Sequence, residues 1–283
     1  MNRTERDKPG PFVKWAGGKR QLLPEIRKLL PPDLSSRIYF EPFVGAGALL
    51  FDLEPHKAVI NDSNKELMLA YRAIRDNVEE LIAALKVHRE LYSKEYYYEV
   101  RSQDREKNYD LKPDVEKAAR LIFLNKTCYN GLFRVNSKGY FNVPMGRHKS
   151  LNICEEALLR AVSRYLNSAD LTILNTDFEE AVTTADSNSF VYFDPPYHSS
   201  AKNAFSEYQA GGFGENEQIR LRNVFLTLTE RRVPCLLSNA DTPFIRDLYQ
   251  NKAFRILTVS ARRSINSDQQ GRGKVNEVLI TSY

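Results

Sequence analysis

The sequence predicts an α/β fold in which helices cover a mostly parallel sheet and a helical segment is inserted between the second and third strands. Three observations predict it. Short β-branched and aromatic runs fall into two groups about a hundred residues apart. Helical patterns alternate with those runs, as crossover helices do between parallel strands. The stretch between the two groups has helical rather than strand periodicity.

The first strand is Ile38-Tyr39-Phe40, followed by Glu41-Pro42-Phe43-Val44-Gly45-Ala46-Gly47 and a helix-like Ala48–Leu53. Strand, Gly-x-Gly loop and helix make a nucleotide-type cradle, where missing side chains let a ligand approach the backbone. A dinucleotide site would want a third glycine three residues after Gly47, but Leu50 stands there, which disfavours NAD. The second strand, Ala58–Asn61, ends in Asp62, an acid well placed to accept ribose hydroxyls. Leu67–Val87, Val115–Asn125 and Glu155–Leu166 read as amphipathic helices, and Tyr96-Tyr97-Tyr98 as packing on a helix face. Leu171–Leu174 is the third strand. Asp177 beyond it is either a contact for a cofactor amino group or the N-cap of the following turn. The fourth strand, Phe190–Phe193, is stopped at once by Pro195-Pro196. Strands at Cys235–Ser238, Ile256–Val259 and Val278–Thr281 complete the sheet, with helices at Gln218–Arg231 and Thr242–Gln250.

Asp194-Pro195-Pro196-Tyr197, at the end of the fourth strand, suits methylation of an exocyclic amino nitrogen. That nitrogen is a poor nucleophile because its lone pair is delocalised into the ring. The Asp194 carboxylate can accept one N–H and the Pro195 carbonyl, stiffened by the next proline, the other. Tyr197 offers a face on which a base can stack. Near the N-terminus, Phe12-Val13-Lys14-Trp15-Ala16-Gly17-Gly18-Lys19 holds the only Trp between two lysines, beside a Gly-Gly that permits close backbone approach.

Together these three motifs, in this order, resemble the Dam-type DNA adenine-N6 methyltransferases, which include the modification enzymes of GATC restriction systems. The similarity runs from about Phe12 to the C-terminus and includes Asn130-Gly131-Leu132-x-Arg134 and Phe141-Asn142-Val143-Pro144. The resemblance implies a Rossmann-like S-adenosylmethionine methyltransferase sheet, with residues 1–64 and 166–283 as catalytic domain and 65–165 as an inserted helical target-recognition domain. It implies S-adenosylmethionine as donor, S-adenosylhomocysteine as product and no metal. Trp15, Lys19, Phe43, Gly45, Gly47, Asp62, Asp177 and Asp194 would hold the cofactor; Asp194, Pro195 and Tyr197 would act on an adenine flipped out of duplex DNA. On the matching positions Lys14 would contact the first guanine of GATC and Arg134 the guanine paired with the final cytosine. Leu132 and Pro144 would pack on the thymine methyl, Tyr129 would wedge into the stack and Asn130 would meet the orphaned thymine. Arg147 would hold phosphate, with Lys126 beside the wedge. These pairings suit groove readout, in which Arg and Lys bind guanine and apolar groups meet thymine.

Phe205-Ser206-Glu207-Tyr208 and Gly211-Gly212-Phe213-Gly214 read as a loop that closes over an extruded base, although the family has Thr where Ser206 stands. His198 adjoins the tetrapeptide, but proton loss can follow methyl transfer, so no strong base is required. Methylation of RNA, or a non-catalytic DNA-binding protein on the same fold, would be the alternatives. The recognition insert argues against the first and the intact motifs against the second. Whether a cognate restriction endonuclease accompanies the enzyme stays open.

Composition agrees. A chain of 283 residues buries a good core and has room for a large domain plus an insert. The net charge of +5 is mild, yet residues 121–150 carry Lys126, Arg134, Lys138, Arg147 and Lys149 and no acid, and residues 251–283 carry six basic residues against two acidic. Local positive fields on a balanced chain suit a polyanion. Three cysteines, Cys128, Cys154 and Cys235, make no closed disulfide framework and show no metal-ligand spacing. A charged N-terminus without an apolar signal core leads to the expectation of a cytoplasmic protein without a membrane span.

Overall fold

The computed structural model describes residues 8–15, 17, 21–148, 150–199, 212–262 and 274–283. Lys19, Lys149 and the Phe205-Ser206-Glu207-Tyr208 run lie outside the described residues. In chain order the elements are α1 (Leu23–Arg27), β1 (Ile38–Glu41), α2 (Ala48–Leu53), β2 (Lys57–Ile60), α3 (Lys65–Asp76), α4 (Val78–Glu90), α5 (Lys94–Ser102), α6 (Asp114–Thr127) and α7 (Glu156–Ser168). They continue with β3 (Asp170–Ile173), α8 (Phe178–Ala181), β4 (Ser189–Phe193), α9 (Glu215–Glu230), β5 (Cys235–Ala240), α10 (Pro243–Leu248), β6 (Arg255–Arg262) and β7 (Lys274–Thr281).

The strands form one sheet in the order β3-β2-β1-β4-β5-β7-β6. Strands β1 to β5 run parallel, and β7 enters antiparallel between β5 and β6. Going outward from β1, the chain climbs through β2 to β3 on one side and through β4 to β5 on the other. The strand order therefore reverses between β1 and β4, the kind of crevice where open α/β sheets bind ligands. Register brings Tyr39 opposite both Ala58 and Phe190, so the carboxyl ends of β1, β2 and β4 lie side by side.

Strand periodicity explains the two cores. Alternate residues point to opposite faces, so Tyr39, Phe190, Tyr192, Leu236 and Leu279 enter one apolar cluster. Phe40, Val191, Phe193, Leu237 and Ile280 enter the other, with Phe225 of α9 and Tyr249 after α10. The first cluster runs on without interruption into Leu67 and Ile74 of α3, Leu85 of α4, Tyr97 of α5, Phe123 of α6 and Leu159 of α7. Tyr97 is buried on its helix face and its hydroxyl donates to the Val143 carbonyl (2.9 Å), in line with packing on a helix face.

One expected helix is two. The apolar period over Leu67–Val87 continues through Asn77, but Asn77 leaves helical geometry (φ −139°, ψ 42°) and separates α3 from α4. Asp76-Asn77 is a weak pair for helix interior, and Glu79 and Glu80 favour a fresh N-terminus. The last two strands are longer than their apolar cores indicate, because β6 and β7 pair along eight residues as an antiparallel ladder.

Candidate active site

The loop after β1 is held by backbone and side-chain bonds from its neighbours. Gly45 and Gly47 both have left-handed φ (+50° and +72°). A Cβ on Gly47 would lie 2.7 Å from the Tyr71 hydroxyl and 2.8 Å from the Phe51 ring, so only glycine fits there. Gly45 donates its N–H to Asp62 Oδ2 (3.2 Å) and accepts the Tyr71 hydroxyl at its carbonyl (3.0 Å). The other Asp62 oxygen accepts the Asn64 N–H at 2.9 Å. Burial pushes the Asp62 carboxyl up to about 6, against the pull of those two N–H groups. Asn61, fully buried, joins three loops: its amide donates to Pro42 O and Thr176 O (3.1 Å each) and its oxygen accepts Thr176 N–H (2.8 Å). Phe43 stacks on Phe178 (5.3 Å) and meets Phe213 edge-on (5.6 Å), an aromatic wall beside the loop. Asp177 caps α8 through the Glu179 N–H (2.9 Å) and pairs with Arg220, so it has the capping role foreseen as one of its two readings.

Across the crevice, the chain leaving β4 is pinned on both sides of Tyr197. The Pro196 carbonyl accepts from Gln218 Nε2 (2.9 Å), and Gln218 Oε1 accepts from Asn239 Nδ2 (3.0 Å). Asn239 Oδ1 in turn accepts the N–H groups of His198 (3.1 Å) and Ala240 (2.8 Å). Gln218 and Asn239 are both fully buried, and these bonds satisfy them. Asp194 Oδ1 accepts the Ser238 hydroxyl at 2.8 Å. The Tyr197 hydroxyl donates to Glu277 Oε2 of β7 (2.9 Å), which fixes the orientation of its ring. Burial, with the Asp194 charge beside it, holds that phenol far above its usual range. Glu41, buried at the end of β1, accepts the Tyr39 hydroxyl (2.8 Å), and burial reinforced by the Asp194 charge keeps its carboxyl protonated well above the usual range. His198 is engaged with Thr242 (3.0 Å) and stacked on Phe244 (4.7 Å).

A third group lies on the N-terminal segment and the stretch after α6. Asn125, fully buried, accepts the Lys14 N–H (2.8 Å) and donates to the carbonyls of Lys14 (2.7 Å) and Gly131 (2.9 Å). A Cβ on Gly131 would sit 2.6 Å from the Lys14 side chain, so the lysine stem lies directly on this turn. Asn130 and Gly131 both adopt positive φ (+55° and +65°), and the neighbouring Tyr129 is 47% exposed. The Tyr129 N–H bonds the Pro144 carbonyl (2.9 Å), and Leu132 is half-buried. Arg134 Nε donates to Asn142 Oδ1 (2.7 Å). Arg147 is exposed, whereas Lys126 is bound to Glu155 by a salt bridge. Trp15 links this group to the cradle: it stacks on Phe133 (5.4 Å), and its Cδ1 lies 3.0 Å from where a Cβ on Gly45 would stand.

Sequence reasoning thus named the groups on both rims of the crevice, but it missed the polar residues that hold them: Asn61, Asn125, Gln218, Ser238, Asn239 and Glu277. One signal was present. Ser238-Asn239 ends the apolar run of β5, where a buried strand delivers polar side chains to the sheet edge.

A family model described as D12 class N6 adenine-specific DNA methyltransferase matches residues 15–265. The chain is 45% identical to the Type II methyltransferase M1.LlaDCHI of Lactococcus lactis subsp. cremoris, covering 100% of this chain and 99% of that protein. It is 42% identical to the Type II methyltransferase M.MjaIII of Methanocaldococcus jannaschii, covering 96% and 99%. It is 34% identical to the DNA adenine methylase of Escherichia coli K12, covering 95% and 93%.

Proposed function

The chain belongs to the D12 class N6 adenine-specific DNA methyltransferases, and from that premise we propose that it uses S-adenosylmethionine to methylate an adenine flipped out of duplex GATC. The observation that carries this reading is the facing of two motifs across one crevice. The Gly45–Gly47 loop leaves β1 and Asp194-Pro195-Pro196-Tyr197 leaves β4, at the point where the strand order reverses.

The residues on the β1 side fit an adenosyl ligand. Phe43 with Phe178 presents an aromatic wall, Asp62 an acceptor for ribose hydroxyls, and Gly45 a backbone without a side chain beside Trp15. Trp15, Phe43, Gly45, Gly47, Asp62 and Asp194, together with Lys19, would hold the cofactor, and Asp177 would join them while keeping its cap on α8 and its pair with Arg220. When bound, S-adenosylmethionine supplies a methyl group on a positively charged sulfur. The chain's own residues have the task of orienting the amino nitrogen. Asp194 and the Pro195 carbonyl each accept one of its N–H bonds, drawing the nitrogen toward a tetrahedral shape with its lone pair exposed. Tyr197 stacks on the base.

Residues 1–64 and 166–283 form the catalytic domain in this reading, and 65–165 reads the target. Lys14 and Arg134 take the two guanines, Leu132 and Pro144 the thymine methyl, Tyr129 the vacated stack, Asn130 the orphaned thymine and Arg147 a phosphate. Support comes from the contacts that gather Lys14, Tyr129, Gly131 and Pro144 into one cluster. Lys126 joins only by releasing Glu155. Two similar proteins are named Type II methyltransferases, so we extend the proposal to a cognate restriction endonuclease. Among the described residues no helix is long and apolar enough to cross a membrane, in keeping with a proposed place in the cytoplasm.

Labelled methyl groups offered with duplex DNA, RNA and protein test the substrate, and they are expected on duplex adenine. Asp194→Ala should reduce that transfer at least a thousandfold while duplex binding persists. DNA from an expressing host should resist a nuclease that cuts only unmethylated GATC. Methyl-adenine at another motif, with GATC untouched, would refute the target.

A further inference from the structure

We propose that Ser238 is a positioning residue that fixes the rotation of the Asp194 carboxylate; the proposal rests on the reading of Asp194 given above. The backbone beyond Asp194 is already immobilised, since Gln218 holds the Pro196 carbonyl and Asn239 holds the His198 N–H. Backbone anchoring does not set the side chain. The terminal torsion of Asp joins sp³ and sp² carbons, and its energy profile is broad. An amino group that must meet a carboxylate oxygen in one direction therefore needs that torsion fixed by something else.

Ser238 is placed to do so. It stands on β5, the strand next to β4, with its Oγ fully buried 2.8 Å from Asp194 Oδ1. The Tyr192 hydroxyl lies 3.1 Å from the same Oγ. Counting protons sets the direction of both bonds. An ionised carboxylate only accepts, and Asp194 Oδ1 at 2.8 Å is much nearer Ser238 Oγ than the Phe193 carbonyl at 3.5 Å, so the single Ser238 proton goes to Asp194, and Tyr192 donates to Ser238 Oγ. The serine is then oriented from behind by a rigid buried phenol whose own ring is locked in the core. Burial, followed by the Asp194 charge, keeps that phenol protonated. The result is a directed chain, Tyr192 to Ser238 to Asp194, in which the last link is a hydrogen bond to a charged group and so a strong one.

Single-turnover methyl transfer on a GATC duplex separates positioning from folding. Ser238→Ala should slow transfer roughly 10- to 100-fold, the effect of one hydrogen bond to a charged group. Its affinities for duplex DNA and for S-adenosylmethionine should stay within about twofold of wild type. Tyr192→Phe removes the other bond to Ser238 but leaves the serine proton on Asp194, so its rate should remain within about threefold of wild type. The double variant relieves the buried phenol that Ser238→Ala leaves without a partner, and it should stay as slow as Ser238→Ala while regaining melting temperature. Wild-type single-turnover rates in Ser238→Ala, or equal slowing by Tyr192→Phe, would overturn the proposal. Asp194→Ala run in parallel assigns the failure. If it is inactive while Ser238→Ala is fast, only the positioning role falls; if it is active, the reading of Asp194 falls and takes this one with it.

Discussion

Asp62 is proposed to serve structure and ligand with the same atoms. Its two oxygens accept the Gly45 and Asn64 N–H groups and so shape the cradle, yet burial pushes its carboxyl up to about 6. A carboxyl raised in the folded state favours the proton there. Its stabilising contribution is complete below the ordinary carboxylate range and is lost as the pH rises through about 6. A ribose hydroxyl donating to this group would prefer the ionised form, so the sign reverses for binding. Cofactor affinity should climb about tenfold between pH 5 and 7, the change in the ionised fraction around that midpoint. Calorimetric titrations across this window are expected to show the climb in the wild type. In Asp62→Asn they should show weaker, pH-independent binding. A wild-type affinity that is flat from pH 5 to 7 would remove Asp62 from the ribose site.

At the scale of elements, what could be read in the sequence was whatever has a local period. The strands were legible because β4 and β5 are buried on both faces and appear as continuous apolar runs ended by Pro195 or by Ser238-Asn239. The break at Asn77 was hidden by an apolar stripe that continues across it. The residues that grip the crevice were hidden for another reason: Gln218 meets Pro196 across 22 positions and Tyr197 meets Glu277 across 80, and no local pattern encodes such pairs. Asn125 is the clearest case, one buried amide in α6 joined to Lys14 across 111 positions. It ties the N-terminal segment to the turn at Gly131 with three hydrogen bonds, and an alanine would leave buried backbone groups without partners. Asn125→Ala should cost about 2–4 kcal/mol and weaken DNA binding through the loosened Lys14. Urea midpoints will measure the first effect. A loss below about 0.5 kcal/mol, within the range of surface substitutions, would show that the segment docks by its apolar residues alone.

The whole molecule divides its labour between a rigid sheet edge and an electropositive stretch that the N-terminal segment joins to it. Trp15 touches both the cradle at Gly45 and Phe133 on that stretch, so the proposed ligand site and the proposed target reader are joined through one side chain. Positive charge over residues 121–150 supplies attraction to any duplex, but discrimination requires base-edge contacts. Arg134 and Arg147 belong to the same stretch and are set up differently. Asn142 holds Arg134 at both Nε and Nη2, which fixes the plane of the guanidinium, whereas Arg147 is exposed. A guanidinium fixed in this way suits a bidentate contact to guanine, worth roughly 1–3 kcal/mol of discrimination at one position. Arg134→Ala should therefore begin to methylate sites altered at that base pair. Arg147→Ala should weaken all duplexes alike and reduce the salt dependence of binding by about one unit of slope, as loss of one phosphate contact does. Relative rates on single-base variants of GATC, with affinities measured over a range of salt, distinguish the two roles. If Arg134→Ala slows equally on every variant, Arg134 is a backbone contact and another residue reads the guanine.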